Sequence, residues 1–188
     1  MSSPQNVITS SGGQNPDEPD HIQASNKVIN IVAEILDEIV KENSNADMMV
    51  ANEEDNNYSY LLIKNFLSKK PPNISIHKYL KRFMKYSRPE PSTIIIALIY
   101  IDKICDESNL QLTMLNIHRL ALACLVVATK YNEDDYYSNE FYAKVGGVSL
   151  EELNQLEYNI LILLNFNVYI DDELFEKYES QIKDYEQE

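Results

Sequence analysis

Two side chains of opposite charge stand beside apolar runs, and one of them, Glu157, lies where an apolar residue would pack better. Lys130 follows, after Thr129, on residues 120–128, LALACLVVA, which are apolar without interruption. If Leu153, Leu156, Ile160 and Leu164 line the inward face of a helix, Glu157 falls in the middle of that face. Burying an unpaired carboxylate costs roughly several kcal/mol after relaxation. Either a cation meets Glu157, with Lys130 the candidate, or the face lies at an interface that supplies donors; the residues alone leave both open. A lysine in a last helical turn also has the ordinary role of facing the helix dipole, worth about 0.3–1 kcal/mol. Asp102 poses a similar problem, because it follows the apolar run IIIALIYI. Arg82, in the preceding segment, is the expected neutralising partner in a structural ion pair.

The other reactive residue types form no recognisable catalytic or metal-ligating pattern. His21, His77 and His118 are far apart and none sits in a spacing such as HExxH, so zinc or nucleophilic catalysis has no local support. Gly146 and Gly147 have neither a strand before them nor a lysine after them, and punctuate helices rather than cradle phosphate. The cluster Glu133, Asp134 and Asp135 suits a solvated loop better than a cation site. Cys105 and Cys124 both lie in apolar helical patterns and read as packed, reduced thiols of an intracellular protein. One charge run stands out: Lys64, Lys69, Lys70, Lys78, Lys81, Arg82, Lys85 and Arg88, with no acid between Tyr58 and Pro89. A solvated face is the plain reading, and docking of acidic or phosphorylated segments the sharper one. No cofactor is expected, and without a Gly-rich phosphate loop the chain should transfer no phosphate itself.

The elements that must position these residues are helical. Residues 115–132 form a hub helix with no face suited to water, and the flanking segments alternate apolar and polar residues at helical spacing. The fold class is therefore all-α, and 188 residues with 44% hydrophobic residues suit one core. Residues 1–20, rich in Ser, Gly, Asn, Pro and Asp, are expected to be disordered. An amphipathic helix spans 22–43, with Ile31, Ile35 and Leu36 on its stripe, and an acidic flexible linker spans 44–57. A short helix from Tyr58 to Leu67 precedes Pro71 and Pro72. Five more helices follow: one ending before Pro89, one opened by Pro91, the hub, a short one closed by Gly146 and Gly147, and one begun by Ser149 and Glu152 as a capping box. Residues 171–188 make an acidic C-terminal helix and tail.

The net charge is −14, and it is uneven: residues 1–57 carry 11 acids against 2 bases, and residues 171–188 carry 8 against 2. The body between them is nearly neutral, which argues against nucleic acid as a partner. No run of eighteen apolar residues occurs, so no membrane partner is expected either. The expected location is the cytoplasm, the nucleus or both.

The segments PPNISIHKYLKRFMKYS, ALIYIDKI, LNIHRLALACLVVATKY, YYSNEFYAKVGG and SLEELNQLEYNILILLNF, in this order and followed by FEKYESQ, resemble the cyclin box of the P/U-type cyclins, the type of the yeast phosphate-signalling cyclin. The resemblance covers residues 71–178. It implies a single five-helix cyclin box, within residues 58–170 and built around a buried third helix, with extra N-terminal helices and a short C-terminal one. It further implies a regulatory subunit, not an enzyme, that binds a cyclin-dependent protein kinase as a heterodimer and holds its C helix in the active position, with protein substrates for the complex. Carried over by motif, Lys130 and Glu157 correspond to the kinase-contacting pair and Arg82 with Asp102 to the buried ion pair. Asp135, four residues before Asn139, corresponds to an acidic position near the kinase activation loop. The chain departs from the family pattern at Lys103, where arginine is usual, and at Ile160 and Leu161, where FL is usual; these changes conserve packing. The alternatives are a cyclin-fold adaptor or transcription-related protein that binds no kinase, and an all-helical enzyme using Glu133 to Asp135 as a metal site.

Overall fold

The computed structural model describes residues 19–44 and 58–185, and these form eight α-helices with no strand among the described residues. They are α1 (Asp20–Ser44), α2 (Tyr58–Lys64), α3 (Ile76–Ser87), α4 (Pro91–Ser108), α5 (Ile117–Asn132), α6 (Asn139–Gly146), α7 (Leu150–Leu163) and α8 (Asp172–Tyr185). The disorder expected over 1–20 falls outside the described residues as far as residue 18, as does the linker over 45–57; α1 itself begins at Asp20.

The hub is α5. Every residue from Ile117 to Thr129 is buried except Arg119, as the unbroken apolar run requires. α4 and α7 supply most of its cover, with α3 and α6 completing it. α1 lies across α3 and α4, burying Ile29, Val32, Leu36 and Val40, and α8 closes over α4 and α1. Among the described residues no helix is long and apolar enough to cross a membrane.

Local chemistry sets the helix ends. Ser75, Ser138 and Ser149 each accept a hydrogen bond from the amide three residues on, capping α3, α6 and α7. α4 has Pro91 in its first turn and no side-chain bond from its own N-cap, Glu90. Its missing cap comes from across the fold: Glu133 Oε1 accepts from the Glu90 amide at 2.9 Å and from Thr93 Oγ1 at 2.6 Å. α2 is shorter than its sequence suggests. It ends at Lys64 rather than running to Leu67, because the next amides make three-residue bonds and the Ser68 amide donates to Leu115 O at 2.7 Å. The prolines at 71 and 72 are not what stops it.

The two glycines closing α6 have different reasons to be there. Gly147 takes φ +71° as the left-handed C-cap, its amide donating to Ala143 O. Gly146 is a contact point: a Cβ on it would stand 2.3 Å from Leu122 Cδ2 of the hub, and its carbonyl accepts from the Tyr79 hydroxyl at 3.0 Å.

Candidate functional site

Two helix ends, the last turn of α5 and the first of α6, meet the middle of α7 at Glu157. α5 delivers Lys130 in its last turn, where the dipole favours a cation, and Lys130 Nζ lies 2.6 Å from Glu157 Oε1 on α7. The first residue of α6, Asn139, donates through Nδ2 to Glu157 Oε2 at 2.7 Å and to Asn154 Oδ1 at 2.7 Å. Both carboxylate oxygens are thus occupied by donors from different helices. The side chains are 28% and 17% exposed for Lys130 and Glu157, so the pair sits at a surface but is not fully hydrated.

That geometry joins the two residues the sequence singled out, with one adjustment. Glu157 lies at the margin of the buried face of α7 rather than in its middle, because Leu153, Leu156, Asn159 and Ile160 turn inward around it. The second donor, Asn139, is not among the candidate residues that the sequence pattern marks. Its signal was an amide at a helix start beside an acidic loop.

The surface around the pair is rich in exposed aromatics. Tyr158 follows Glu157 and is 53% exposed; Tyr136 and Tyr137, in the loop from 133 to 138, are 54% and 48% exposed. The Tyr137 ring stacks on Phe141 with centroids 4.1 Å apart, which holds the loop against α6. Asp135 is exposed in the same loop. The three acids of that loop do not act as a cluster. Glu133 is spent on capping α4, and no group of residues able to hold a metal ion occurs among the described residues.

The Arg82–Asp102 ion pair is not formed. Asp102 is exposed on α4, where its Oδ2 accepts a hydrogen bond from the Tyr178 hydroxyl of α8. Arg82 on α3 instead lays its guanidinium over the Tyr79 ring, 5.1 Å from the centroid. The register of the helices explains the correction: Ile99, Tyr100, Ile101 and Ile104 of α4 face inward, which turns Asp102 out toward α8. The apolar run preceding Asp102 therefore gives no measure of its own burial.

The remaining candidates are packing residues. Burial lifts the Cys105 thiol to about 12 and holds the Cys124 thiol well above its usual range, so neither forms a thiolate at neutral pH. His118 is buried with Nε2 2.8 Å from Ile74 O, and burial lowers its pKa, keeping it neutral. A bond to a carbonyl places the proton on Nε2. The buried Asn159, which spacing did not flag, donates to Leu62 O at 3.3 Å and ties α7 to α2.

Comparison with known proteins gives a consistent family. The pattern of the family described as Cyclin matches residues 26–168. The chain is 34% identical over 157 residues to Cyclin-P3-1 of Oryza sativa subsp. japonica, covering 84% of this chain and 64% of that protein. It is 43% identical over 108 residues to Cyclin-U1-1 of Arabidopsis thaliana, covering 57% and 51% respectively. With Cyclin-U3-1 of Arabidopsis thaliana it shares 41% over 118 residues, covering 63% and 53%. The chain spans about half to two thirds of the length of these relatives.

Proposed function

This chain belongs to the cyclin family, as a P/U-type member, and on that premise we propose that it is the regulatory subunit of a cyclin-dependent protein kinase. The observation that carries the reading is the Lys130–Glu157 pair, partly exposed at the junction of α5, α6 and α7 and bordered by exposed tyrosines. Aromatic side chains with a few oriented charges at the centre are what a specific protein interface needs.

Activation then requires no catalytic group in this chain. A kinase whose C helix alternates between two positions is drawn to the one whose exposed surface this protein covers. The shift is limited by the difference in affinity for the two states. Lys130 and Glu157 offer directional hydrogen bonds to backbone groups of that helix, and Asp135, exposed on the neighbouring loop, reaches toward the activation loop.

The test is reconstitution. The full chain is mixed in turn with each cyclin-dependent kinase catalytic subunit of its own cell, and phosphorylation of a generic peptide is followed. At least one kinase should co-elute with it one to one and gain more than tenfold in activity, while the chain alone transfers nothing. No complex and no gain across the set would overturn the reading in favour of a kinase-independent adaptor.

A further inference from the structure

The face of α3 that points away from the core has an unusual charge arrangement. Lys78, Lys81, Arg82 and Lys85 recur at i, i+3, i+4 and i+7, which places them in one stripe along the helix. Ile76, Tyr79, Leu80, Phe83 and Met84 occupy the opposite, buried face. Lys78, Lys81 and Lys85 are exposed and Arg82 is half-buried. Lys41, Arg119, Lys130, Lys144 and Lys183 form ion pairs, whereas none of the four stripe residues does so among the described residues.

This arrangement works against the helix that carries it. Like charges three and four residues apart repel, and a cation in the first turn opposes the dipole. The first turn of α3 has no acid, although the chain carries 30 acids against 16 lysines and arginines. A locally unfavourable pattern kept in an otherwise consistent fold marks a surface with a task.

Arg82 supplies the second, independent observation. Its guanidinium is held in place over the Tyr79 ring, and Nη2 lies 3.5 Å from where a Cβ on Gly147 would stand. Its Nε is buried and meets no acceptor among the described residues. With Nε buried, the donors left for a ligand are the terminal Nη1 and Nη2, a planar pair held in place with flexible lysines on either side. That combination suits a phosphate, which takes bidentate bonds from arginine and carries enough charge to draw in neighbouring lysines.

We propose that the α3 stripe is a docking surface for an acidic segment of a partner protein bearing a phosphoserine or phosphothreonine, with the phosphate on Arg82 and flanking carboxylates on Lys78, Lys81 and Lys85. From Lys78 to Lys85 is about 10 Å along the helix axis, the span of roughly three extended residues, so a short cluster of anions fills it. So small a footprint, on a chain of net charge −14, suits a peptide and not a nucleic acid, whose affinity grows with the number of phosphates neutralised. The surface is separate from the Lys130–Glu157 junction. Asn139 at one end of α6 meets Glu157 and Gly147 past the other end lies beside Arg82, about 12 Å of helix apart. The proposal concerns the chain by itself and stands whether or not a kinase is bound.

The experiment measures fluorescence anisotropy of a labelled twelve-residue peptide, one phosphoserine among glutamates, titrated with the full chain. Binding should weaken at least tenfold between 50 and 200 mM salt, as expected when charges within a Debye length dominate. It should also weaken at least tenfold when glutamate replaces the phosphoserine. The variant K78E/K81E/K85E should lose at least tenfold. A control with the same change in charge, K144E/K177E/K183E, should lose less than threefold, both variants being checked for unchanged melting. Arg82 is left intact because its packing on Tyr79 belongs to the fold. Absence of binding, or equal losses in the two triple variants, would overturn the proposal. Competition by a single-stranded oligonucleotide as strong as by unlabelled peptide would reassign the surface to nucleic acid. Tenfold tighter binding by D47N/E53Q/E54Q/D55N would reassign it to the chain's own acidic residues between α1 and α2.

Discussion

Replacing Lys130 or Glu157 by alanine separates a residue that grips a partner from one that only holds the fold. In the free chain the ion pair is 2.6 Å long, and its members are 28% and 17% exposed. Fully exposed pairs contribute about 0–1 kcal/mol, and hydrogen bonds to charged groups about 1.5–3. A pair buried to this degree belongs between, at roughly 1–2 kcal/mol. After Lys130→Ala, Glu157 still has Asn139 as a donor at 2.7 Å, which keeps the loss toward the lower figure. For a chain of this size each kcal/mol moves Tm by about 2–4 °C, so either variant should melt only about 2–8 °C lower. At a kinase interface the same truncation removes one partner of a desolvated charged contact. That typically costs about 2–5 kcal/mol, or roughly thirtyfold to several thousandfold in affinity. The assay is therefore paired: calorimetric melting of each free variant, and kinase affinity by titration. The double variant completes the cycle, since it removes both charges and strands neither. Affinity within threefold of the parent in both single variants, with a Tm loss above about 10 °C, would refute the interface assignment and leave an internal strut.

Two further outcomes follow from the packing. Gly146→Ala should destabilise by about 1–3 kcal/mol through overpacking against Leu122, whose Cδ2 the new methyl would meet at 2.3 Å, and adding Leu122→Val should recover part of the lost Tm. His118 has a folded pKa below its ordinary value because it is buried. The unfolded chain thus takes up a proton near pH 6.5 that the folded chain refuses, so stability attributable to His118 is complete above that pH and falls below it, by at most about 1.4 kcal/mol per pH unit. Melting at pH 7.5 and 6.0 should show a larger drop for the parent than for His118→Gln; equal drops would remove His118 as the cause.

The helices were legible because apolar periodicity is a property of neighbours along the chain. The hub, the stripe of α1 and the cap of α7 by Ser149 all emerge from spacing alone. Lys130 and Glu157 were legible for the same reason, as charges interrupting apolar patterns. What was not legible depended on how one helix is rotated against another. Arg82 and Asp102 invite pairing by type, but the register of α4 turns Asp102 to Tyr178. Glu133 looked like part of a solvated acidic loop, yet it caps α4 from 43 residues away. Gly146 looked like punctuation, and its closeness to Leu122 belongs to the crossing of α6 with the hub. None of these contacts leaves a local pattern.

The meeting of α1 with α8 sets a schedule for the chain's synthesis. α1 packs early in sequence order against α3 and α4, but part of its cover comes from α8, which ends at Tyr185. At about 5–20 residues per second, the stretch from α1 to the end of α8 takes roughly 7–28 s to emerge. Through that interval an apolar strip of α1 has no permanent neighbour, and a chaperone or a protease has its opening there. Abundance in the cell would then depend on α8: a weakened α8 prolongs the exposure of the part of α1 that it covers, and loss of protein follows without any change at the surface that meets a partner.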